Sequence, residues 1–357
     1  NTRHLNLGPR VDQMQPMETL SDLLQQLQGQ YRVYDMGCRL SKLSAADFKA
    51  FEEGRKAYPL PWLRHAWVGI LSWSPTTSSN KASTSTIWFL KLPLDERGQL
   101  VQAARDEFLN QLLETIGTNM LDQQASTEWA EQLKHSNLAF TPDEARMAAF
   151  HAQASLTLEQ AASSFYPAVR HYMSSEKTQL SWQELGLQGF ADFAMRLDQQ
   201  QQWRQKISQL PAPVLDTIAT QLENQKLDHS LAKAFILRGR ASAEDGEKVA
   251  CLRAISQSPD SESRQQWLKQ IMGKDNTVGV ELLATITSKC SEDLLTAELM
   301  ELFVHQCAAD QGVFNGLVQE LMYQPKLRMQ VLEAFRANER SPALILAIGS
   351  LMGQTQS

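Results

Sequence analysis

An adjacent pair of carboxylates, Asp95 and Glu96, followed by Arg97, is the group of residues in this sequence best placed to do chemistry. The pair lies in the segment LPLDERGQL, where a run of β-forming residues gives way to a helical pattern. Two neighbouring carboxylates there could ligate a metal or serve as acid and base. They could equally cap a helix and complement its dipole, and without a third ligand they are a weak metal signal. We expect capping, and we predict neither a metal nor a cofactor.

Aromatic side chains are dense just before this motif, and four of the eight tryptophans lie between residues 62 and 88. They could line a ligand or peptide groove, because tryptophan is enriched at binding hot spots. Filling the core of a small sheet explains them more simply, although Trp62 lies in a proline-flanked loop and is expected to be exposed. The candidate binding set is Trp62, His65, Trp73, Trp88, Asp95, Glu96 and Arg97.

The sequence contains none of the common catalytic or phosphate-binding motifs. There is no glycine-rich phosphate loop, no GxSxG and no HExxH. No two of the four cysteines form a CxxC, so we expect reduced thiols, as in a cytosolic protein. The net charge of −6 argues against binding to double-stranded nucleic acid. No run approaches the roughly 18 apolar residues of a membrane span, so we expect no membrane association.

The elements that would position these residues form a small α+β domain over residues 17–122. Residues 1–16 read as a leader or an extension that is not native. Period-two patterning predicts an antiparallel hairpin joined by a polar, mobile tip. The strands and helices expected in this domain are helix 19–28, strands within 31–43 turning at Met36–Gly37, helix 45–53, strands 67–73 and 86–92, and helix 98–116.

Beyond residue 122 the sequence shows no strand pattern. We expect a helical connecting region over 123–198, with helices near 127–136, 142–153, 156–173 and 181–206. Residues 199–357 carry a spacing of thirty-two, which predicts stacked helix pairs, a HEAT-like α-solenoid. Two apolar series keep this step: Trp203, Phe235, Trp267, Leu299 and Val331, and Ile218, Ala250, Leu282, Phe314 and Leu346. A third series with the same step comprises Ile207, Gly239, Ile271, Phe303 and Phe335. A fourth series is polar and lies at the expected helix starts: Asp228, Asp260, Glu292 and Gln324.

Three segments together carry a family resemblance: YPLPWLRHAWVGILSW, IWFLKLPLDERGQL and ARDEFLNQLL. With them the chain resembles an uncharacterised bacterial family of about 340 residues, a domain of unknown function marked by an LDE motif, here Leu94-Asp95-Glu96. The resemblance runs from about Met17 to the C-terminus. It implies a bacterial source and a cytosolic setting, and it supplies no catalytic residues.

Three functional hypotheses follow. The leading one is a non-enzymatic protein-binding or scaffold protein, whose helical stack and sheet each offer a surface to a protein partner. The second is an enzyme or small-ligand sensor with its site around the LDE motif and the tryptophans. The third is a single-stranded nucleic-acid binder that pairs the aromatic sheet with nearby cations. These cations are Arg32, Arg39, Arg55, Lys56 and Arg64. The sequence leaves the oligomeric state open.

Overall fold

The computed structural model describes residues 19–28, 30–73, 85–119, 136–175, 180–197 and 203–354. Two predictions fall outside these ranges: the leader at 1–16 and the mobile tip between the predicted hairpin strands, which begins after residue 73. The predicted helix near 127–136 lies almost entirely outside them as well. All statements below concern the described residues.

A four-stranded antiparallel sheet forms the N-terminal part, in the order β2-β1-β3-β4. The predicted hairpin is confirmed, because β3 pairs with β4 along its whole length, from His65 opposite Pro93 to Trp73 opposite Ser85. The strands are β1 (Gln30–Asp35), β2 (Ser41–Leu43), β3 (His65–Trp73) and β4 (Ser85–Pro93).

Helices cover both faces of this sheet. Successive strand residues point to opposite faces, so Val68 and Ile70 pack with α1 and α2, whereas Leu71 packs with α4. The phenyl ring of Phe150 on α4 lies directly over Gly69 of β3, where a Cβ atom would stand 2.6 Å from the ring. The helices of this part are α1 (Leu20–Gln28), α2 (Ala45–Glu52), α3 (Gln102–Asn119) and α4 (Glu144–Thr157).

Several helix boundaries differ from the predictions. The helix predicted at 98–116 begins only at Gln102. The one predicted at 142–153 is α4, which begins at Glu144; its N-cap is Asp143, whose side chain accepts the Arg146 N–H. The single helix predicted at 156–173 is wrong: α4 ends at Thr157, Glu159 adopts a φ of 55°, and helix resumes only at residue 166.

The helix predicted at 181–206 is also wrong. Its region contains a 3-10 turn, then α6, which stops where Leu197 enters the left-handed region with a φ of 43°. A second 3-10 helix follows after the undescribed residues 198–202. The elements are α5 (Tyr166–Ser174), 3-10 helix Trp182–Glu184, α6 (Leu187–Arg196) and 3-10 helix Arg204–Gln209.

The C-terminal helices pack in two alternating rows. In the first row α7 packs on α9, α9 on α11, α11 on α13 and α13 on α15; in the second, α8, α10, α12 and α14 do the same. The first row comprises α7 (Ala212–Leu222), α9 (Asp245–Ile255), α11 (Val280–Lys289), α13 (Gln311–Tyr323) and α15 (Pro342–Gln354). The second comprises α8 (His229–Ala241), α10 (Ser261–Ile271), α12 (Ala297–Cys307) and α14 (Pro325–Phe335), with 3-10 helix Ser291–Leu295 between α11 and α12.

All members but one of the apolar series that begin at Trp203 and Ile218 are buried. Every member of the Trp203 series is buried, and so are the first four members of the Ile218 series. The fifth, Leu346 on α15, is 74% exposed. In the polar series, Asp228 and Asp260 are N-caps whose side chains accept backbone N–H groups. Gln324 occupies the N-cap position of α14 without a side-chain bond, and Glu292 lies inside a 3-10 helix.

The N-terminal part rests on the C-terminal ends of first-row helices. The Leu40 N–H donates to Asn224 Oδ1 at 2.7 Å, just after α7. The Leu63 N–H donates to Glu320 of α13 at 3.2 Å. Contacts therefore cross the domain limits predicted at 122 and 198, and those limits stay predictions.

Candidate functional site

The LDE motif forms a tight turn after β4. Asp95 Oδ1 accepts the N–H groups of Arg97 at 2.8 Å and Gln99 at 2.9 Å, and the Asp95 carbonyl accepts that of Gly98 at 3.0 Å. Gly98 has a φ of 73°, which favours glycine. The side chains of Asp95, Glu96 and Arg97 are exposed. Asp95 therefore caps a turn rather than the helix we expected, and its carboxylate is used by the backbone.

Trp62 and His65 belong to a second turn at the same end of the sheet. Their backbone groups pair with each other, and the Trp62 carbonyl also accepts the indole N–H of Trp67 at 2.9 Å. The intervening Leu63 and Arg64 adopt φ values of 48° and 62°. Trp62 is half-buried rather than exposed, because Trp67 holds its backbone against the sheet.

The remaining two tryptophans lie apart from these turns and from each other. Trp88 is buried on the sheet face that packs against α1 and α2. Trp73 borders the opposite face, where the guanidinium of Arg32 lies 5.5 Å from its ring centre. The structure thus brings Trp62 and His65 near the LDE turn, and separates them from Trp73 and Trp88.

Two buried carboxylates with a strongly raised pKa, Asp35 and Glu52, were not singled out in the sequence analysis. Asp35 ends β1, accepts the Tyr58 O–H at 2.7 Å and the Gly37 N–H at 3.2 Å, and burial raises its pKa to about 7. Glu52 lies at the end of α2, and its pKa is also raised by burial to about 7. In the sequence, the only indication of a role for Asp35 is its position before the predicted Met36–Gly37 turn. No neighbouring residue pattern indicates a role for Glu52.

Glu52 caps a helix that is distant in sequence. Its carboxylate accepts the backbone N–H groups of Leu20, at 2.8 Å, and of Ser21, at 3.2 Å, together with the Ser21 hydroxyl. These donors belong to the first turn of α1, whose N–H groups have no partner within the helix. Glu52 therefore has a structural role that needs no ligand.

A groove of about 710 Å³ lies along α8. Its apolar floor is one stripe of α8: Ala234, Leu237 and Ala241. Leu237 is 56% exposed. We call this feature the α8 groove; its full lining is Arg204, Gln205, Ser208, His229, Ser230, Lys233, Ala234, Leu237, Arg238, Ala241, Ser242 and Glu247.

Positive charge surrounds the α8 groove. The lining holds Arg204, Lys233 and Arg238 against one carboxylate, Glu247. Arg238 forms a two-pronged ion pair with Glu247, with N–O distances of 2.7 and 3.0 Å. Arg204 donates to the Ser230 hydroxyl, and among the described residues no carboxylate lies within 4 Å of Arg204 or Lys233. Two cations therefore remain available in a chain whose net charge is −6.

Of the five cations proposed for nucleic-acid binding, Arg32 lies beside Trp73, and the other four are engaged elsewhere. Arg55 and Lys56 pair with Glu53 and Asp47. Arg39 donates to the Lys289 carbonyl, and Arg64 stacks at 4.9 Å over the ring of Tyr323. Both sheet faces are covered by helices, so the described rings and these cations do not form one open platform.

Within the described ranges, no three of the His, Cys, Asp and Glu side chains gather as metal ligands would. None of the helices in those ranges is both long enough and apolar enough to cross a lipid bilayer.

The fold defines a mainly helical protein with an N-terminal four-stranded antiparallel sheet. The chain belongs to the family described as "Protein of unknown function (DUF3549)", whose model matches residues 15–352. This confirms the resemblance to an uncharacterised family. Neither a curated protein nor a solved structure matches the chain.

Proposed function

We propose that this chain is a non-enzymatic binding protein whose α8 groove docks an acidic, leucine-bearing segment of a protein partner. The observation that carries the proposal is the combination of an exposed leucine floor with two unpaired cations. An amphipathic segment could place an apolar side chain against Leu237 and carboxylates against Arg204 and Lys233.

The two-row packing supports the helical-repeat, HEAT-like interpretation on which this function rests. Each helix of one row packs on the next of the same row, and the Trp203 series is buried at every step of thirty-two residues. Arrays of this kind expose long surfaces that bind other proteins.

The positions of the candidate residues around the LDE motif also favour a binding protein over an enzyme. Asp95 is committed to its own turn, and Trp88 lies in the core, so the seven candidate residues do not converge. A reducing, cytoplasmic setting in a bacterium fits the four cysteines, all of which are free thiols.

The test is selection of displayed random 16-residue peptides on the intact immobilised protein. We expect enriched peptides to be acidic, with apolar residues at helical spacing, and to bind more weakly as salt is raised. The double variant Lys233→Glu and Leu237→Asp should lose this selection. Enrichment of neutral or basic peptides would contradict the proposal.

A matched control changes a lysine and an exposed apolar residue outside the groove. Lys226 and Val280 are exposed and do not line it. The double variant Lys226→Glu and Val280→Asp has the same change in charge and should retain the selected peptides. Equal loss in both double variants would show a general charge effect and would contradict docking in the α8 groove. Binding of a labelled single-stranded oligonucleotide that the groove variant abolishes would favour nucleic acid instead.

A further inference from the structure

The α8 groove is polarised along its length. Ser230 and Lys233 line it near the start of α8, whereas the exposed Leu237 lies one turn beyond Lys233. Arg204 belongs to the 3-10 helix that packs against α8, and its guanidinium donates to the Ser230 hydroxyl at 2.6 Å. One end of the groove therefore gathers two cations and a hydroxyl, and the other end is apolar.

The polar end of the groove has hydrogen bonds available for a ligand. Ser230 and Lys233 are three residues apart on a helix and therefore share a face. Because the Ser230 oxygen accepts from Arg204, the hydroxyl proton of Ser230 is free to point at a ligand. Among the described residues, neither Arg204 nor Lys233 has a carboxylate partner. His229, which also lines the groove, is instead paired with Asp260 at 2.6 Å.

Two unpaired cations match a dianion more closely than they match one carboxylate. A carboxylate has a single negative charge on two oxygens. A phosphate monoester carries about −1.5 to −2 charges at neutral pH and has three terminal oxygens. The groove offers three kinds of donor, which are the Arg204 guanidinium, the Ser230 hydroxyl and the Lys233 ammonium. Charge-assisted hydrogen bonds of this kind are stronger than those between neutral groups.

We propose that the segment docked in the α8 groove carries a phosphorylated serine or threonine, whose phosphoryl group binds Arg204, Ser230 and Lys233. This inference rests on the proposed function, because it names the acidic group of the same partner segment. Leu237 lies seven residues, or about 10 Å along α8, from Ser230. The apolar floor therefore favours a phosphorylated protein segment with an apolar residue about 10 Å from its phosphoryl group over free phosphate.

The first experiment measures the affinity of the intact protein for three versions of one selected peptide by fluorescence anisotropy. The versions carry serine, phosphoserine or a pair of glutamates at one site, two helical turns from the apolar anchor. We expect the phosphoserine version to bind at least about tenfold more tightly than the serine version. It should also bind more tightly than the glutamate pair, which has a similar charge. Equal affinity for phosphoserine and the glutamate pair would overturn phosphoryl recognition and leave the proposed function intact, whereas no binding of any version would overturn both.

The second experiment identifies the groups that bind the phosphoryl group. Ser230→Ala leaves the charge of the groove unchanged and should weaken binding of the phosphoserine version about fivefold. Arg204→Gln should weaken it at least about tenfold. The controls are Ser261→Ala and Arg240→Gln, since both residues are exposed and neither lines the groove; these variants should bind as the wild type does. A preference for phosphoserine that survives both Ser230→Ala and Arg204→Gln would overturn the proposal.

Discussion

The ammonium group of Lys289 lies 2.7 Å from the carboxylate of Glu223, and both side chains are only 6% exposed. The pair joins the end of α11 to the end of α7. Lys289 also donates to the Cys38 carbonyl, and Arg253 Nε lies 3.3 Å from the second Glu223 oxygen. Burial lowers the pKa of Lys289. This buried ion pair thus connects the turn after β1 to two helices of the first row.

Replacing Lys289 by Met should destabilise the protein by about 3 kcal/mol, because removal of one partner leaves a buried charge poorly compensated. Urea unfolding measures this. The double variant Lys289→Met with Glu223→Leu should be less destabilised than the single one. The exposed pair Lys274–Glu339 is the control, and Lys274→Met should change stability by less than about 1 kcal/mol. Equal effects of Lys289→Met and Lys274→Met would contradict the account of this junction.

Asp35 predicts a pH dependence. Its pKa is about 7 in the folded chain against an ordinary value of 3.8, so the folded state retains a proton that the unfolded state loses first. Its contribution therefore makes stability fall as the pH rises from about 4 to 7. Asp35→Asn should raise stability above pH 7, by up to a few kcal/mol, and flatten this slope. Denaturant midpoints at pH 5 and pH 8 measure it.

The amide that Asp35→Asn introduces can keep both contacts of the carboxyl group, accepting the Gly37 N–H and donating to the Tyr58 hydroxyl. Glu52 titrates in the same direction, so Asp35→Asn should remove only part of the slope. A variant with an unchanged difference between pH 5 and pH 8 would show that Asp35 is ionised throughout that interval.

Gly69→Ala tests the packing of α4 on the sheet. The new methyl group would stand 2.6 Å from the Phe150 ring and 3.0 Å from Met36 Cγ. We expect a loss of about 1–3 kcal/mol, as for overpacked cores, measured by thermal unfolding. In a protein that already carries Phe150→Leu, Gly69→Ala should lower the melting temperature by less than it does in the wild type. If Gly69→Ala left the melting temperature unchanged, α4 would not rest on β3 as described.

The LDE motif gives a prediction that separates structure from chemistry. Asp95→Ala removes two hydrogen bonds to backbone N–H groups and should cost about 1 kcal/mol. Glu96→Gln, at an exposed position of the same turn, should leave stability unchanged. Neither change should affect binding of the selected peptides. A loss of binding without a loss of stability would move the functional site to this turn.

Elements with a strong local period could be predicted, and those set by distant contacts could not. Alternation in β3 and β4 follows from the pleat of strands that pack on both faces, so residues 67–73 and 86–92 predict the hairpin. The helices predicted at 156–173 and 181–206 are wrong because the chain turns at Glu159 and Leu197, ordinary helix-forming residue types that adopt positive φ. Apolar content alone does not reveal such turns.

The candidate site divides in the same way. Core filling was the simpler expectation for the tryptophans, and Trp88 does lie in the core. The residue types did not reveal that a turn, rather than a helix, uses the Asp95 carboxylate. The α8 groove was missed because its cations, Arg204 and Lys233, are spread over two elements that meet only in the fold. Asp228 and Asp260, by contrast, cap helices as their spacing predicted.

The most direct measurement is the affinity of one selected acidic peptide, followed by fluorescence anisotropy, for the wild type and for Lys233→Glu. Reversing this charge replaces an attraction by a repulsion, and we expect affinity to fall at least about tenfold, or about 1.4 kcal/mol, with a smaller difference at high salt. Equal affinity for the two proteins at low salt would contradict the account.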